Sequence, residues 1–307
     1  MKRLVLASVL AASTLWFSAP ATAAVPPNLP KAVDSFDAGS LHVDVYGTPG
    51  KPALVLIPGL ACGPWEWSGE IARFSPDYAI YALTLPGFDG RAPISGSLFP
   101  TVTADFWSMV AAHHLTHPII AGHSLGGTLG IVLAEQHPEK LAAVVAVDGL
   151  PVLPGMEKLS PQQRTQAAQR FSAMLSAATP AQFQTAEATY VLPNYLSSKS
   201  DVAAVAPLLG KSDPKAAGAW MSEDVNTDAR AELKSADVPL LEIAPYDATI
   251  DGPTFPSPAA KQAYYQSLFT GAPHATVAMV SGARHFVMYD QPAALDSAIS
   301  TFLKAVH

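Results

Sequence analysis

From about Val33 the chain runs as short apolar segments bounded by glycine and proline, alternating with longer stretches of helix-like spacing. Five segments read as buried strands: residues 53–57 (ALVLI), 78–83 (YAIYAL), 118–121 (PIIA), 141–147 (LAAVVAV) and 238–244 (VPLLEIA). A further strand falls at 275–280 (ATVAMV). Each is close to continuously aliphatic, as expected of strands covered by helices on both faces. Residues 41–46 (LHVDVY) alternate instead, which predicts an antiparallel edge strand ahead of the parallel part. Strands separated by helical segments predict an α/β fold with a mostly parallel central sheet flanked by helices. Between Gly149 and Ser235 the strand pattern stops, and prolines recur at 151, 154, 161, 180, 193, 207 and 214 among Ala, Gln, Met and Leu. Several short helices are predicted here, as an insertion covering one end of the sheet or as a plain long crossover.

Composition narrows the class. The 307 residues are 49% hydrophobic and 14% charged, which supports one large core rather than disorder. The formal net charge is −7 and no basic block occurs, which argues against nucleic acid or an anionic membrane surface as partner. Lys2 and Arg3 precede an apolar run at 4–17, followed by Ala21-Thr22-Ala23. This predicts a signal peptide over 1–23, too short for a bilayer span of about 20 residues. The expectation is an exported protein, periplasmic or secreted, with no membrane attachment after cleavage. Residues 24–148 and 236–307 then form the core and 149–235 a helical cap. Cys62 is the lone cysteine, so no intramolecular disulfide forms. Its role is packing or a reactive thiol. Nothing in the pattern sets an oligomeric state.

The segment that carries chemistry is Gly122-His123-Ser124-Leu125-Gly126, a G-x-S-x-G motif. A strand-like run precedes it, and a helix-like run from Thr128 to His137 follows. Strand, sharp turn and helix are the context in which such a serine is held in a strained turn at the carboxyl end of a sheet. The helix N-terminus beside it favours a developing anion.

With Ile57-Pro58-Gly59-Leu60, Leu85-Pro86-Gly87-Phe88-Asp89-Gly90, Gly122–Gly127 and Gly282-Ala283-Arg284-His285-Phe286, the chain resembles the α/β-hydrolase family over nearly all of its mature length. The resemblance implies that fold, with a helical cap after its sixth strand, and a triad in the order serine, acid, histidine. Ser124 is the nucleophile and His285, in a loop after the last strand, is the base. Asp247, after 238–244, is the favoured acid. Asp148, after 141–147, is the alternative, and Asp251 is a weaker candidate. Two features depart from the family pattern: Ala244-Pro245 stands where glycine is usual, and the long interval from Asp247 to His285 implies an insertion. The amides of Leu125 and Leu60 are the candidate oxyanion donors, Pro58-Gly59 replacing the His-Gly common in the family. Trp65, Trp67, Phe88, Phe99, Phe106 and Trp107 either pack in the core or line an apolar acyl pocket.

These readings predict a serine hydrolase acting on a small-molecule ester-type substrate through an acyl-enzyme, with no cofactor and no metal. Lactonase, aminopeptidase, thioesterase and carbon–carbon hydrolase activities share the fold, and a silent ligand-binding member is the non-enzymatic alternative.

Overall fold

The computed structural model describes residues 29–306 and the backbone of Trp16–Phe17. The segment read as a signal peptide otherwise lies outside the described residues. The eight main strands are β1 (Asp34–Ala38), β2 (Leu41–Gly47), β3 (Ala53–Ile57), β4 (Ala79–Thr84), β5 (Ile119–His123), β6 (Ala143–Val147), β7 (Leu240–Tyr246) and β8 (Ala275–Ser281). They form one twisted order, β1-β2-β4-β3-β5-β6-β7-β8, and only β2 runs against the others. Trp16–Phe17 add a two-residue parallel ladder beside Met279 and Val280.

The central strands β3, β5, β6 and β7 are buried at every position, which is why their sequences lack alternation. Fully burying a Leu or Val of these strands contributes roughly 1.5–3 kcal/mol. The helix Leu125–Gln136 lies against β3, β5 and β6, and Pro292–Val306 lies against β6, β7 and β8. The aromatic residues weighed as pocket or core belong to the core: Trp65, Trp67, Phe88, Phe99 and Phe106 are buried, and Trp107 is half-buried against the same cluster.

One strand escaped the sequence pattern. β2 alternates as predicted but is not the edge, because β1 pairs outside it. Its sequence, DSFDA, is polar and half-solvated, so it carries no hydrophobic signal. What makes it a strand is the two-residue turn Gly39-Ser40, with Gly39 at φ +59°. Asp105 reinforces the turn by accepting from the Ser40 amide and hydroxyl.

Between β6 and β7 the chain is helical apart from one isolated bridge, Val152 to Asp228. Three of the seven prolines that broke the strand pattern open helices here. Pro161, Pro180 and Pro214 are the first residues of Pro161–Ser176, Pro180–Ala186 and Pro214–Asn226, where the missing amide costs no hydrogen bond. Ser160, Thr179 and Asp213 cap those helices through their side-chain oxygens. This insertion roofs the carboxyl ends of β5, β6 and β7 and encloses a cavity of about 530 Å³.

Candidate active site

Ser124 follows β5, Asp148 follows β6, His285 follows β8 and Leu60 follows β3, so all four arrive at the carboxyl edge of the sheet. All four line the cavity. Ser124 sits at φ 51° and ψ −120°, a conformation that costs a non-glycine residue about 1–3 kcal/mol and turns its side chain out of the strand. The flanking glycines permit the turn: a Cβ on Gly122 would strike the Gly126 carbonyl, and one on Gly126 would strike that of Ile57. Among the described residues, the Leu60 and Leu125 amides have no intramolecular acceptor, and Leu125 opens the helix that follows the serine. Two free donors, one on the residue after the nucleophile and one on a loop lining the same cavity, suit a developing oxyanion.

The histidine takes the acid after β6. His285 Nδ1 lies 2.6 Å from Asp148 Oδ2, and Tyr265 Oη donates to Asp148 Oδ1 at 2.6 Å. Burial alone would raise the Asp148 pKa, but the His285 hydrogen bond and charge, Lys261 and the Tyr265 hydroxyl hold it well below the usual carboxylate range. An ionised Asp148 accepts the Nδ1 proton and leaves His285 Nε2 as the basic atom. Burial, and then the neighbouring His123, keep the His285 pKa below its ordinary value.

Asp247, the favoured acid in the sequence, does not reach His285. One carboxylate oxygen accepts the Thr249 amide at 2.7 Å, and the other accepts Arg284 Nε at 3.1 Å. Arg284 also donates to the Pro193 and Leu196 carbonyls of the insertion. Asp247 thus caps its own short helix, Ala248–Asp251, and anchors a cation that ties core to cap. Asp251 pairs with Lys261 at 2.8 Å.

A buried network emerges that single residues did not announce. His123, the variable residue of the motif, is fully buried, and its Nδ1 lies 2.7 Å from Glu66 Oε1. Its Nε2 donates to the His285 carbonyl at 3.0 Å. Glu66 Oε2 in turn accepts the Gly59 amide at 2.9 Å. Burial disfavours the imidazolium, yet Glu66 and then Asp148 lift the His123 pKa above its ordinary value. The pair therefore braces the Gly59-Leu60 loop, the part whose usual family histidine is replaced by Pro58. The available signal was a histidine and a glutamate inside apolar runs, which only pairing makes affordable.

Cys62 is buried beside Leu60 and donates to its carbonyl at 3.5 Å. Burial pushes its thiol pKa well up, so it packs as a neutral group. Among the described residues no cluster of three or more His, Cys, Asp or Glu converges as a metal site.

A family model described as the alpha/beta hydrolase family matches residues 54–298, which takes in the serine motif, both acid turns and the histidine loop. The chain belongs to the α/β-hydrolase family. As a family member it is a hydrolase in broad class. The sequence is 34% identical over 134 residues to 2-succinyl-6-hydroxy-2,4-cyclohexadiene-1-carboxylate synthase of Escherichia coli, covering 43% of this chain and 53% of that protein. The chain thus spans about half the length of the curated relatives it matches. Solved α/β-hydrolase structures share the fold. The enol-lactonase from Burkholderia xenovorans LB400 superposes with a TM-score of 0.67 at 19% identity, over 86% of this chain and 96% of that one. A thermophilic esterase from Thermogutta terrifontis gives 0.71 at 17% identity, over 90% and 100%.

Proposed function

We propose that the chain is a serine hydrolase that cleaves a carboxylic ester of a small to medium, mainly apolar substrate through an acyl-enzyme. The observation that carries the reading is the 2.6 Å contact of His285 with Asp148 beside a strained Ser124 in one enclosed cavity. Ser124 Oγ attacks the carbonyl carbon while its proton passes to His285 Nε2. The carbonyl oxygen becomes an oxyanion held by the Leu60 and Leu125 amides. As the tetrahedral species collapses, the carbon–oxygen bond breaks and His285 returns the proton to the departing alcohol. Water then repeats the sequence on the acyl-enzyme and releases the acid and free Ser124.

The cavity lining supports an uncharged substrate. It is mostly apolar, with Leu, Met, Phe and Val prominent, and its lysine and arginine are already paired, Lys261 with Asp251 and Arg284 with Asp247. The name of the Escherichia coli relative describes a carboxylate-bearing compound. A cavity with no unpaired cation among the described residues disfavours that class here.

The test is turnover of p-nitrophenyl esters of rising acyl length, with a fluorophosphonate probe alongside. Wild type turns over and is labelled, and Ser124→Ala does neither while melting like wild type. Undiminished turnover in Ser124→Ala sinks the assignment. A folded wild type that neither labels nor turns over supports the ligand-binding alternative. Export is a separate proposal: protein recovered outside the cytoplasm should begin at Ala24, and an intact leader on protein confined to the cytoplasm would refute it.

A further inference from the structure

The helix Pro214–Asn226 presents Met221, Asp224 and Val225 to the cavity, three positions that share one helix face. Asp224 is the polar member of an otherwise apolar stripe. It is 5% exposed, and its Oδ1 is buried with no hydrogen-bond partner among the described residues. Its side-chain neighbour Thr128 stands one helical turn beyond Ser124 and gives its own hydroxyl proton to the Leu150 carbonyl at 3.0 Å. Burial raises the Asp224 pKa to about 7. Other carboxyls are also buried without partners, notably Glu70 and Glu242, but neither lines the cavity.

The position of Asp224 is built. The preceding Glu223 accepts the Leu98 and Phe99 amides at 2.5 and 2.7 Å, and Trp220 Nε1 donates to the Pro86 carbonyl at 3.0 Å. These bonds fix the rotation of the helix and hold residue 224 toward the cavity. A buried carboxyl oxygen with no partner lowers stability, and a leucine would suit that stripe better. A residue that breaks the local rule in a ligand cavity points to a ligand. The other acid of the lining without an ion-pair partner, the half-buried Glu187, adds to the same acceptor character.

We propose that Asp224 is a specificity-determining residue that accepts a hydrogen bond from a hydroxyl group of the substrate, so that the substrate class is an ester with such a donor on the arm lying along Thr128. This deepens the serine-hydrolase reading and rests on it for the ester bond alone. The donor group supplies the partner that Oδ1 lacks, and a plain alkyl arm leaves that oxygen desolvated and unmet. Above pH about 7, where Asp224 is ionised, a buried hydrogen bond to its carboxylate discriminates by about tenfold or more.

Binding and turnover separate the two readings. Ser124→Ala protein is titrated with methyl ω-hydroxyalkanoates of four to ten carbons, and with methyl alkanoates of matched length. The expected result is about tenfold tighter binding of the best donor-bearing ester than of its alkyl match. In Ser124→Ala/Asp224→Leu that preference disappears or reverses, and the double variant melts at or above the single one. Wild-type turnover should show the same ratio, carried by KM rather than kcat. A preference that survives Asp224→Leu, equal binding of both series, or binding of neither overturns the proposal, as does a melting temperature several degrees lower in the double variant. A donor preference in binding, with no esterase turnover by wild type, would refute the serine reading and leave the role of Asp224 standing.

Discussion

Asp148 and Asp247 stand at the ends of neighbouring parallel strands, β6 and β7, with side chains 12% and 15% exposed. Both follow the serine and precede the histidine in the chain. Asp148 sits at φ +48° and makes no side-chain bond to its own turn: its oxygens meet Tyr265 and His285, both more than a hundred residues away in sequence. Asp247 has extended backbone, caps the helix that starts beside it, and gives its second oxygen to Arg284. Arg284 and His285 are adjacent, and each takes the acid on its own side. A carboxylate committed to capping its own turn is not free to orient an imidazole, so local backbone geometry divides the two acids between support for the base and attachment of the cap.

The sharpest way to break this comparison is to neutralise each acid in turn. Asp148→Asn should lower kcat on a p-nitrophenyl ester by about 10³–10⁴-fold, because the amide orients the imidazole in the wrong tautomer. Asp247→Asn should leave kcat within a few-fold; the opposite ranking would hand the triad role to Asp247. Next in size, Glu66→Gln should cost about 10–100-fold by loosening the Gly59-Leu60 loop, whose Leu60 amide is the proposed second oxyanion donor. It also has a pH signature. His285 must be neutral to act as base, so activity is lost as pH falls through its pKa, which lies below the ordinary value of about 6.5. Glu66 raises the His123 pKa and so favours the charged ring, and that charge lowers the His285 pKa by more than the Glu66 carboxylate itself raises it. Removing Glu66 should therefore move the acid limb of kcat/KM to higher pH, and an unmoved limb would show that the network does not act on His285. Tyr265→Phe removes one hydrogen bond to Asp148 and should lower kcat by about tenfold, with a weaker hold on the acid as the cause. The smallest effect on chemistry accompanies the clearest effect on stability. Asp247→Asn should cost about 1–2 kcal/mol, read as a melting temperature lower by about 2–4 °C per kcal/mol, since Arg284 loses its charged partner.

The parallel strands, the helical insertion, the serine turn and the histidine loop were all legible as sequence. Each rests on local patterning: continuous apolar runs, proline at helix starts, and glycines around a serine that must adopt a strained turn. β1 was not legible, because a half-solvated polar strand has no hydrophobic period. Pairings across the sheet were not legible either. Glu66 and His123 lie 57 positions apart, and Asp148 and His285 lie 137 apart. Linear order admits both Asp148 and Asp247. The sequence by itself therefore determined the family and the fold, and marked Ser124 and His285 by their local contexts. Only the tertiary structure decided which acid meets His285, what braces the Gly59-Leu60 loop, and which residues line the cavity. Those outcomes depend on the direction each side chain takes once distant strand ends are brought to one edge, and that direction is set by packing and backbone dihedrals rather than by local composition.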